Sequence, residues 1–174
     1  MLTNNYSIIS PKYKKFLEMF VSNLEYPEIE NEHYRRCWTK DINHYYSHYN
    51  NVDILLAPLE MKEFNYVKSE LKVIECCFSN TAIIASNYGP YELVIKNALT
   101  TEGEFDETGN GILIDEDKNE TDWVKAIELL VNNPEKLKTL QNNVNKDFKD
   151  TYSLSAVTEV RKNFYKEITQ FKKE

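Results

Sequence analysis

The chain has 174 residues, of which 41% are hydrophobic and 13% aromatic, so it can bury a full core and is not an intrinsically disordered protein. Its 21 basic and 28 acidic residues give a formal net charge of −7, which argues against nucleic acid or an anionic membrane surface as a partner. The sequence contains no apolar run of the roughly 18–20 residues that a membrane span needs, and its first residues lack the pattern of a signal peptide. We therefore expect a cytoplasmic protein with no integral membrane segment.

Three short aliphatic runs, at residues 52–57, 81–85 and 111–114, predict β-strands. Continuous apolar runs without polar alternation are typical of strands that are covered on both faces in a parallel sheet. Residues 6–9 and, more weakly, residues 98–100 are further strand candidates.

Helical patterns lie before, between and after these runs. Helices are predicted to begin at Pro11, at Asp41, at Lys68, at Asp122, at Asn133-Pro134 and at Ser153 or Ser155. The third is predicted over residues 68–78, with an inner face that consists of Leu71, Ile74, Cys77 and Phe78. Short strands that alternate with helices predict an α/β fold: a Rossmann-like, doubly wound parallel sheet in three α/β/α layers. We expect residues 1–174 to form a single domain.

A ligand site is expected where the first strand ends. In open parallel sheets ligands bind beyond the carboxyl ends of the strands, near helix N-termini. The loop over residues 58–67 leads into the helix predicted at Lys68, whose opening amides suit a phosphate, with Lys68 and Ser69 adding charge and a hydroxyl. Glu75 lies two turns further along and could accept hydrogen bonds from a ribose. Alternatively, Glu75 is an ordinary solvated helix residue.

The same stretch carries a family resemblance. It contains Asp53-Ile-Leu-Leu-Ala-Pro-Leu-Glu60, then Phe64-Asn-x-x-Lys-Ser-x-Leu-Lys-x-x-Glu75, followed by Ala82-Ile-Ile-Ala-Ser86 and Gly89-Pro-Tyr91. These segments, with weaker matches over about residues 34–165, resemble the donor-binding, C-terminal half of GT-B glycosyltransferases, most closely the retaining enzymes of family 4 (glycosyl transferases group 1).

The resemblance implies a nucleotide-sugar site. Its glutamate for the donor ribose matches Glu75, its pyrophosphate-binding amides match Lys68, Ser69, Glu70 and Leu71, and Pro58 and Leu59 lie near the nucleobase. The glutamate that contacts the donor sugar in such enzymes falls on Val67, so that contact would pass to Asn65 or Lys68. The nucleotide-sugar-binding residues implied are Pro58, Leu59, Asn65, Lys68, Ser69, Glu70, Leu71 and Glu75.

The implied reaction is retaining glycosyl transfer to an acceptor hydroxyl, of the hexosyltransferase type, in polysaccharide or glycoconjugate synthesis. The nucleoside-diphosphate sugar is its substrate, with no metal or other cofactor, and positive charge stabilises the departing diphosphate. Lys68 is the best candidate for that charge, with Lys62 and Lys72 as alternatives. The N-terminal, acceptor-binding domain of such enzymes has no room in this sequence. We therefore expect the 174-residue chain to bind nucleotide and, alone, to transfer nothing.

Other functions and sites fit the sequence less well. A nucleotide-sugar epimerase needs carboxylate and histidine catalysts on patterns that the chain lacks. A non-enzymatic interaction module of the receiver type needs acidic residues clustered at the end of the first strand, whereas Asp53 lies at its beginning. His44 and His48 have a zinc-compatible spacing without a third ligand that can be named, so no metal site is expected. The adjacent Cys76 and Cys77 are expected to pack as small apolar groups.

Overall fold

The structure is a computed structural model that describes residues 41–49, 52–115 and 120–171. The chain divides between His48 and Tyr49 into two compact units. The strand predicted at residues 6–9 and the helix predicted to begin at Pro11 lie outside the described residues. The single domain expected over residues 1–174 stays a prediction.

The sheet has three parallel strands: β1 (Ile54–Ala57), β2 (Ala82–Ser86) and β3 (Ile112–Ile114). They lie in the order β1-β2-β3, with Ile54 opposite Ala82 and Ile84 opposite Ile112. Every residue of the central strand β2 is buried, as its continuous apolar run predicts. The three strands predicted from these runs are confirmed, with ends that differ by one or two residues.

The weaker strand predicted at residues 98–100 is wrong. Leu99 forms only an isolated antiparallel bridge with Phe105, because the chain reverses directly after it: the Gly103 amide donates to Thr100 O at 2.9 Å. The Leu113 amide of β3 donates to the side-chain oxygen of Asn97 at 3.0 Å. Beside β3 this segment forms one isolated parallel bridge, Asn97 with Gly111, in which the Ala98 amide donates to Gly111 O at 2.8 Å.

Six α-helices and a 3-10 helix are described. The helices are α1 (Glu63–Tyr66), α2 (Leu71–Ser79), α3 (Pro90–Val94), α4 (Glu120–Val131), α5 (Pro134–Tyr152) and α6 (Leu154–Phe171), and the 3-10 helix is Tyr45–Tyr49. The helices predicted at Asp122, at Asn133-Pro134 and at Ser153 or Ser155 are confirmed within two residues. The helices α1 and α3 have only four and five residues and were not predicted.

Two helix predictions need correction. The helix predicted from Asp41 is a short 3-10 helix, and the Asp41 carboxylate accepts hydrogen bonds from the Asn43 amide and the His44 ring in the turn before it. The helix predicted from Lys68 begins at Leu71, because the Lys68 amide bonds back to Asn65 O and so belongs to the turn that follows α1.

The predicted inner face of α2 is also wrong in part. Leu71 and Phe78 are 52% and 41% exposed, whereas Val73, Cys76 and Cys77 are fully buried. The small side chains of Val73 and Cys76 let α2 lie close to the sheet, in one cluster with Ile83 and Ala85 of β2. Both cysteines lie in this core cluster and pack as small apolar groups, as expected, and their burial raises the pKa of both thiols.

The sheet is covered on both faces. On one face, Ile83 and Ala85 pack with α2 and with Tyr91 of α3. On the other face, Ala82 and Ile84 pack with residues of α4 and α5, including Leu130 and Leu140. Consecutive residues of β2 therefore enter different cores, as the pleat of a strand requires. The predicted three-layer α/β/α arrangement is confirmed, and it leaves the carboxyl ends of the strands beside the N-terminus of α2.

Candidate functional site

The loop that leaves β1 is attached to the end of β2. The Leu59 amide donates to the Ser86 hydroxyl at 2.8 Å, and the same hydroxyl lies 3.2 Å from Leu59 O. Ser86 is the last residue of β2 and is buried. Pro58 is exposed and Leu59 is half-buried. Ser86 thus fixes the start of the loop at the carboxyl edge of the sheet.

Helix α1 is held in place from two sides. The side-chain amide of Asn65 donates to Glu60 O at 2.7 Å. Gly89, with φ of +62°, lies so close that a Cβ on it would be 3.0 Å from Asn65 O and 3.1 Å from the Tyr66 Cα. The Tyr66 and Tyr88 rings meet edge to face, with centroids 5.6 Å apart. The turn after β2 therefore supports α1, and α1 in turn positions the residues that lead into α2.

The N-terminus of α2 presents free amides. The N–H groups of Ser69, Glu70 and Leu71 donate to no acceptor within the part of the chain that the structure describes, and α2 is nine residues long. The partial positive charge of a helix N-terminus and these donors together favour an anion. The Ser69 side chain is exposed beside them. Three of the four predicted phosphate-binding amides, those of Ser69, Glu70 and Leu71, are thus available. The fourth prediction is wrong, because the Lys68 amide donates to Asn65 O at 3.4 Å in the turn that precedes the helix.

The charged side chains of this region point to different partners. The Lys68 ammonium lies 5.4 Å from the centroid of the exposed Phe64 ring, whereas Lys62 is paired with Glu60 at 2.8 Å. The Glu70 carboxylate accepts a hydrogen bond of 2.7 Å from the Tyr152 hydroxyl of α5. Among the described residues, the Lys62 ammonium and the Glu70 carboxylate thus have polar side-chain partners, whereas the Lys68 ammonium has only the Phe64 ring. That Lys68 supplies the positive charge at the N-terminus of α2 stays a prediction.

Glu75, one turn into α2, carries a carboxylate that is largely buried. Its side chain is 11% exposed, and its Oε2 accepts hydrogen bonds from the Lys72 ammonium at 2.7 Å and from the Tyr49 hydroxyl. The Lys72 ammonium also lies 3.0 Å from the Tyr49 hydroxyl oxygen. The alternative that Glu75 is a solvated helix residue is therefore wrong.

The second oxygen of this carboxylate has a different environment. Among the described residues no protein group bonds to Glu75 Oε1. Oε1 has no partner, yet it is not buried, because in that part of the chain the only buried side-chain nitrogen or oxygen without a partner is His48 Nε2. Solvent therefore reaches Oε1. One oxygen of Glu75 is held by protein, and the other remains available to a ligand.

Three contacts of the site were not predicted from the sequence, although Ser86 and Gly89 lie in the motifs of the family resemblance. Ser86 and Gly89 act on the loop from the end of β2, and Tyr49 reaches Glu75 from the segment before β1. Burial, and then the hydrogen bond to Glu75, raise the pKa of the Tyr49 phenol, so it is a protonated donor at neutral pH. No local sequence pattern indicates any of these three contacts.

The described residues hold no group of three metal-ligating side chains. His44 bonds to Asp41 at 2.7 Å and the His48 ring packs against Tyr45. None of the helices described is both long and apolar enough to cross a membrane.

No protein-family profile matches the chain, and no curated protein matches it. Two solved structures are similar to it. The C-terminal domain of a glycosyl transferase group 1 family protein (LpcC) from Francisella tularensis aligns with a TM-score of 0.57 and 20% identity, over 83% of this chain and 66% of that one. Sucrose-phosphate synthase from Thermosynechococcus elongatus aligns with a TM-score of 0.64 and 14% identity, over 96% of this chain and 37% of that one.

Both of these proteins are GT-B enzymes. This chain has the fold of a GT-B C-terminal domain. The resemblance predicted from the motifs is thereby confirmed at the level of the fold. The GT-B-like chain spans just under two thirds of the length of the first of these proteins and just over one third of the second.

Proposed function

We propose that this GT-B-like chain binds a nucleoside-diphosphate sugar and serves as the donor-binding part of a glycosyltransferase. One observation carries the proposal: α2 presents amides at its N-terminus and, on the same helix, a carboxylate oxygen, none of which has a hydrogen-bond partner among the described residues. Leu71 and Glu75 are four residues apart, which is about 6 Å along a helix axis. The two groups are thus near enough for one nucleotide to meet the amides with its diphosphate and Glu75 with its ribose.

The diphosphate would bind at the amides of Ser69, Glu70 and Leu71, with Lys68 adding positive charge. Fixed amide dipoles and a cation stabilise negative charge without rearranging, which favours departure of the nucleoside diphosphate during transfer. Because these protein groups supply the positive charge, we propose that the reaction needs no metal and no other cofactor.

The remaining donor contacts are assigned to the loop between β1 and α2. Pro58 and Leu59, which Ser86 fixes at the sheet edge, would lie beside the nucleobase. Val67 is 77% exposed and has no polar group for the sugar, so Asn65 or Lys68 would make that contact.

The proposed reaction is retaining hexosyl transfer to an acceptor hydroxyl, in the cytoplasm, in the synthesis of a polysaccharide or glycoconjugate. In a GT-B enzyme a second domain would bind the acceptor. We therefore propose that the 174-residue chain binds nucleotide by itself and transfers sugar only together with such a domain.

The proposal is tested by titrating the ¹⁵N-labelled chain with UDP, GDP and ADP, followed by NMR and calorimetry. At least one nucleotide should shift the amide signals of residues 67–75. Glu75→Gln replaces a charged hydrogen bond to the ribose, worth about 1.5–3 kcal/mol, by a neutral one worth about 0.5–1.5 kcal/mol. The affinity should therefore fall about five- to tenfold. Glu128→Gln, an exposed change on α4, is the control and should bind normally. The absence of shifts at residues 67–75 with all three nucleotides would overturn the proposal.

A further inference from the structure

We propose that Tyr49 and Lys72 are positioning residues, which bind one oxygen of the Glu75 carboxylate and so direct its other oxygen to the ribose hydroxyls of the donor. This inference rests on the proposed function, because it assigns a ligand group to Glu75 Oε1. It concerns two side chains that would not themselves touch the nucleotide, and it gives each a specific task.

The geometry fixes the plane of the carboxylate. The Lys72 ammonium reaches Oε2 at 2.7 Å from one turn earlier in the same helix, and the Tyr49 hydroxyl reaches Oε2 from a different segment. The ammonium and the hydroxyl oxygen are also 3.0 Å apart, so the three groups close a triangle. A carboxylate that is bonded at one oxygen by two donors from different elements cannot rotate freely, and its second oxygen keeps one direction.

The Lys72 ammonium compensates the Glu75 carboxylate for the hydration that it loses on burial. A glutamate side chain that is only 11% exposed would lose much of its hydration, and an adjacent ammonium compensates for that loss. The Lys72 ammonium thus pairs with Glu75 at 2.7 Å, and Lys68 is the cation proposed for phosphate. The Lys72 ammonium lies 5.7 Å from the centroid of the Tyr49 ring, so the ring also holds the lysine in place.

In the hydrogen bond between Tyr49 and Glu75, the Tyr49 hydroxyl is the donor and Glu75 Oε2 is the acceptor. Burial raises the pKa of this phenol, so its hydroxyl donates a proton to Oε2 across the physiological pH range. A protonated phenol and an ammonium both supply protons to Oε2, and neither competes for the lone pairs of Oε1. Oε1 thus remains an acceptor, which is what two ribose hydroxyls require.

A purely structural role is the rival explanation. In that case the triangle only attaches α2 to the segment before β1, and its loss would weaken the binding of every nucleotide to the same degree. Positioning of Oε1 affects only ligands that carry ribose hydroxyls. The ratio of two affinities, for a nucleoside diphosphate and for its 2′,3′-dideoxy analogue, therefore separates the two explanations.

The test measures this ratio by calorimetry for the nucleotide that wild type binds best. Wild type should prefer the ribose form at least tenfold. Tyr49→Phe should reduce that preference at least threefold and leave affinity for the dideoxy form unchanged. Tyr152→Phe is the matched control, because the Tyr152 hydroxyl also donates to a carboxylate, that of Glu70, the residue just before α2. It should keep the wild-type ratio.

The outcomes separate this inference from the proposed function. If wild type binds none of the nucleotides, both fail. If Glu75→Gln loses the ribose preference while Tyr49→Phe keeps it, the donor site stands and the positioning role is refuted. The role is also refuted if Tyr49→Phe weakens the ribose and dideoxy forms equally. Should Tyr49→Phe not fold, as judged by circular dichroism, Lys72→Met is subject to the same criterion.

Discussion

Replacement of Gly89 by alanine tests whether the turn after β2 supports the candidate site. Gly89 has φ of +62° and ψ of −127°, a backbone conformation that side chains with a Cβ rarely adopt. The Cβ of an alanine would also lie 3.0 Å from Asn65 O and 3.1 Å from the Tyr66 Cα. Both neighbours are backbone atoms of α1, so no side-chain rotation relieves the contact.

The expected cost has two parts. The backbone conformation costs about 1–3 kcal/mol in a residue other than glycine, and a contact that pushes on a packed element costs about 1–3 kcal/mol more. The Gly89→Ala change should therefore lower the free energy of unfolding by about 2–6 kcal/mol, which is a large part of the 5–15 kcal/mol typical of a domain.

Gly103 provides a matched control. It also has a positive φ, of +82°, but a Cβ there would meet nothing within 4 Å, so Gly103→Ala carries only the first part of the cost. Urea unfolding followed by circular dichroism gives both losses of stability, and NMR shows whether the amides of α1 shift. Equal losses in the two variants, with α1 signals unmoved in Gly89→Ala, would refute the idea that Gly89 supports α1.

Two further predictions concern other contacts of the site. Ser86→Ala leaves the Leu59 amide without its acceptor and should cost about 1–3 kcal/mol, with faster hydrogen exchange at Leu59; unchanged exchange there would contradict the attachment of the loop to β2. The pKa of Tyr49 is raised above its ordinary value of 10.0, so above pH 10 the folded chain keeps a phenol proton that the unfolded chain loses. The stability that the Tyr49 hydroxyl contributes is therefore complete below pH 10 and declines above it. Between pH 10 and 11 the unfolding free energy of Tyr49→Phe should therefore decrease less steeply than that of wild type, and equal slopes in urea titrations would contradict the shift.

The parts of the fold that could be predicted are those in which one segment carries its own signal. The run at residues 81–85 is apolar at every position but its first, and only a strand covered on both faces uses such a run fully, so β2 was found. Asn133-Pro134 marks the start of α5, because proline is tolerated in the first turn of a helix and disfavoured further along it. These signals do not depend on what lies elsewhere in the chain.

The start of α2 shows why boundaries are harder. Lys68, Ser69 and Glu70 are compatible with a helix, and the apolar spacing after Leu71 extends naturally back to them. They form a turn because α1 precedes them and the Lys68 amide bonds to Asn65 O. Helix α1 itself has four residues, too few to show a period, and Gly89 supports it from beyond β2. Its existence depends on tertiary contacts that no local pattern contains.

The candidate site likewise combines a contact that is local in the sequence with one that only the fold creates. The pairing of Lys72 with Glu75 is local, three residues along one helix, and the spacing makes it predictable. The Tyr49 contact spans 26 residues and exists only because the fold brings the segment before β1 against α2. The local pair alone would be a salt bridge with a mobile carboxylate. The distant hydroxyl is what fixes the plane of that carboxylate, so any selectivity for ribose at Glu75 is a property of the folded chain and not of the helix that carries it.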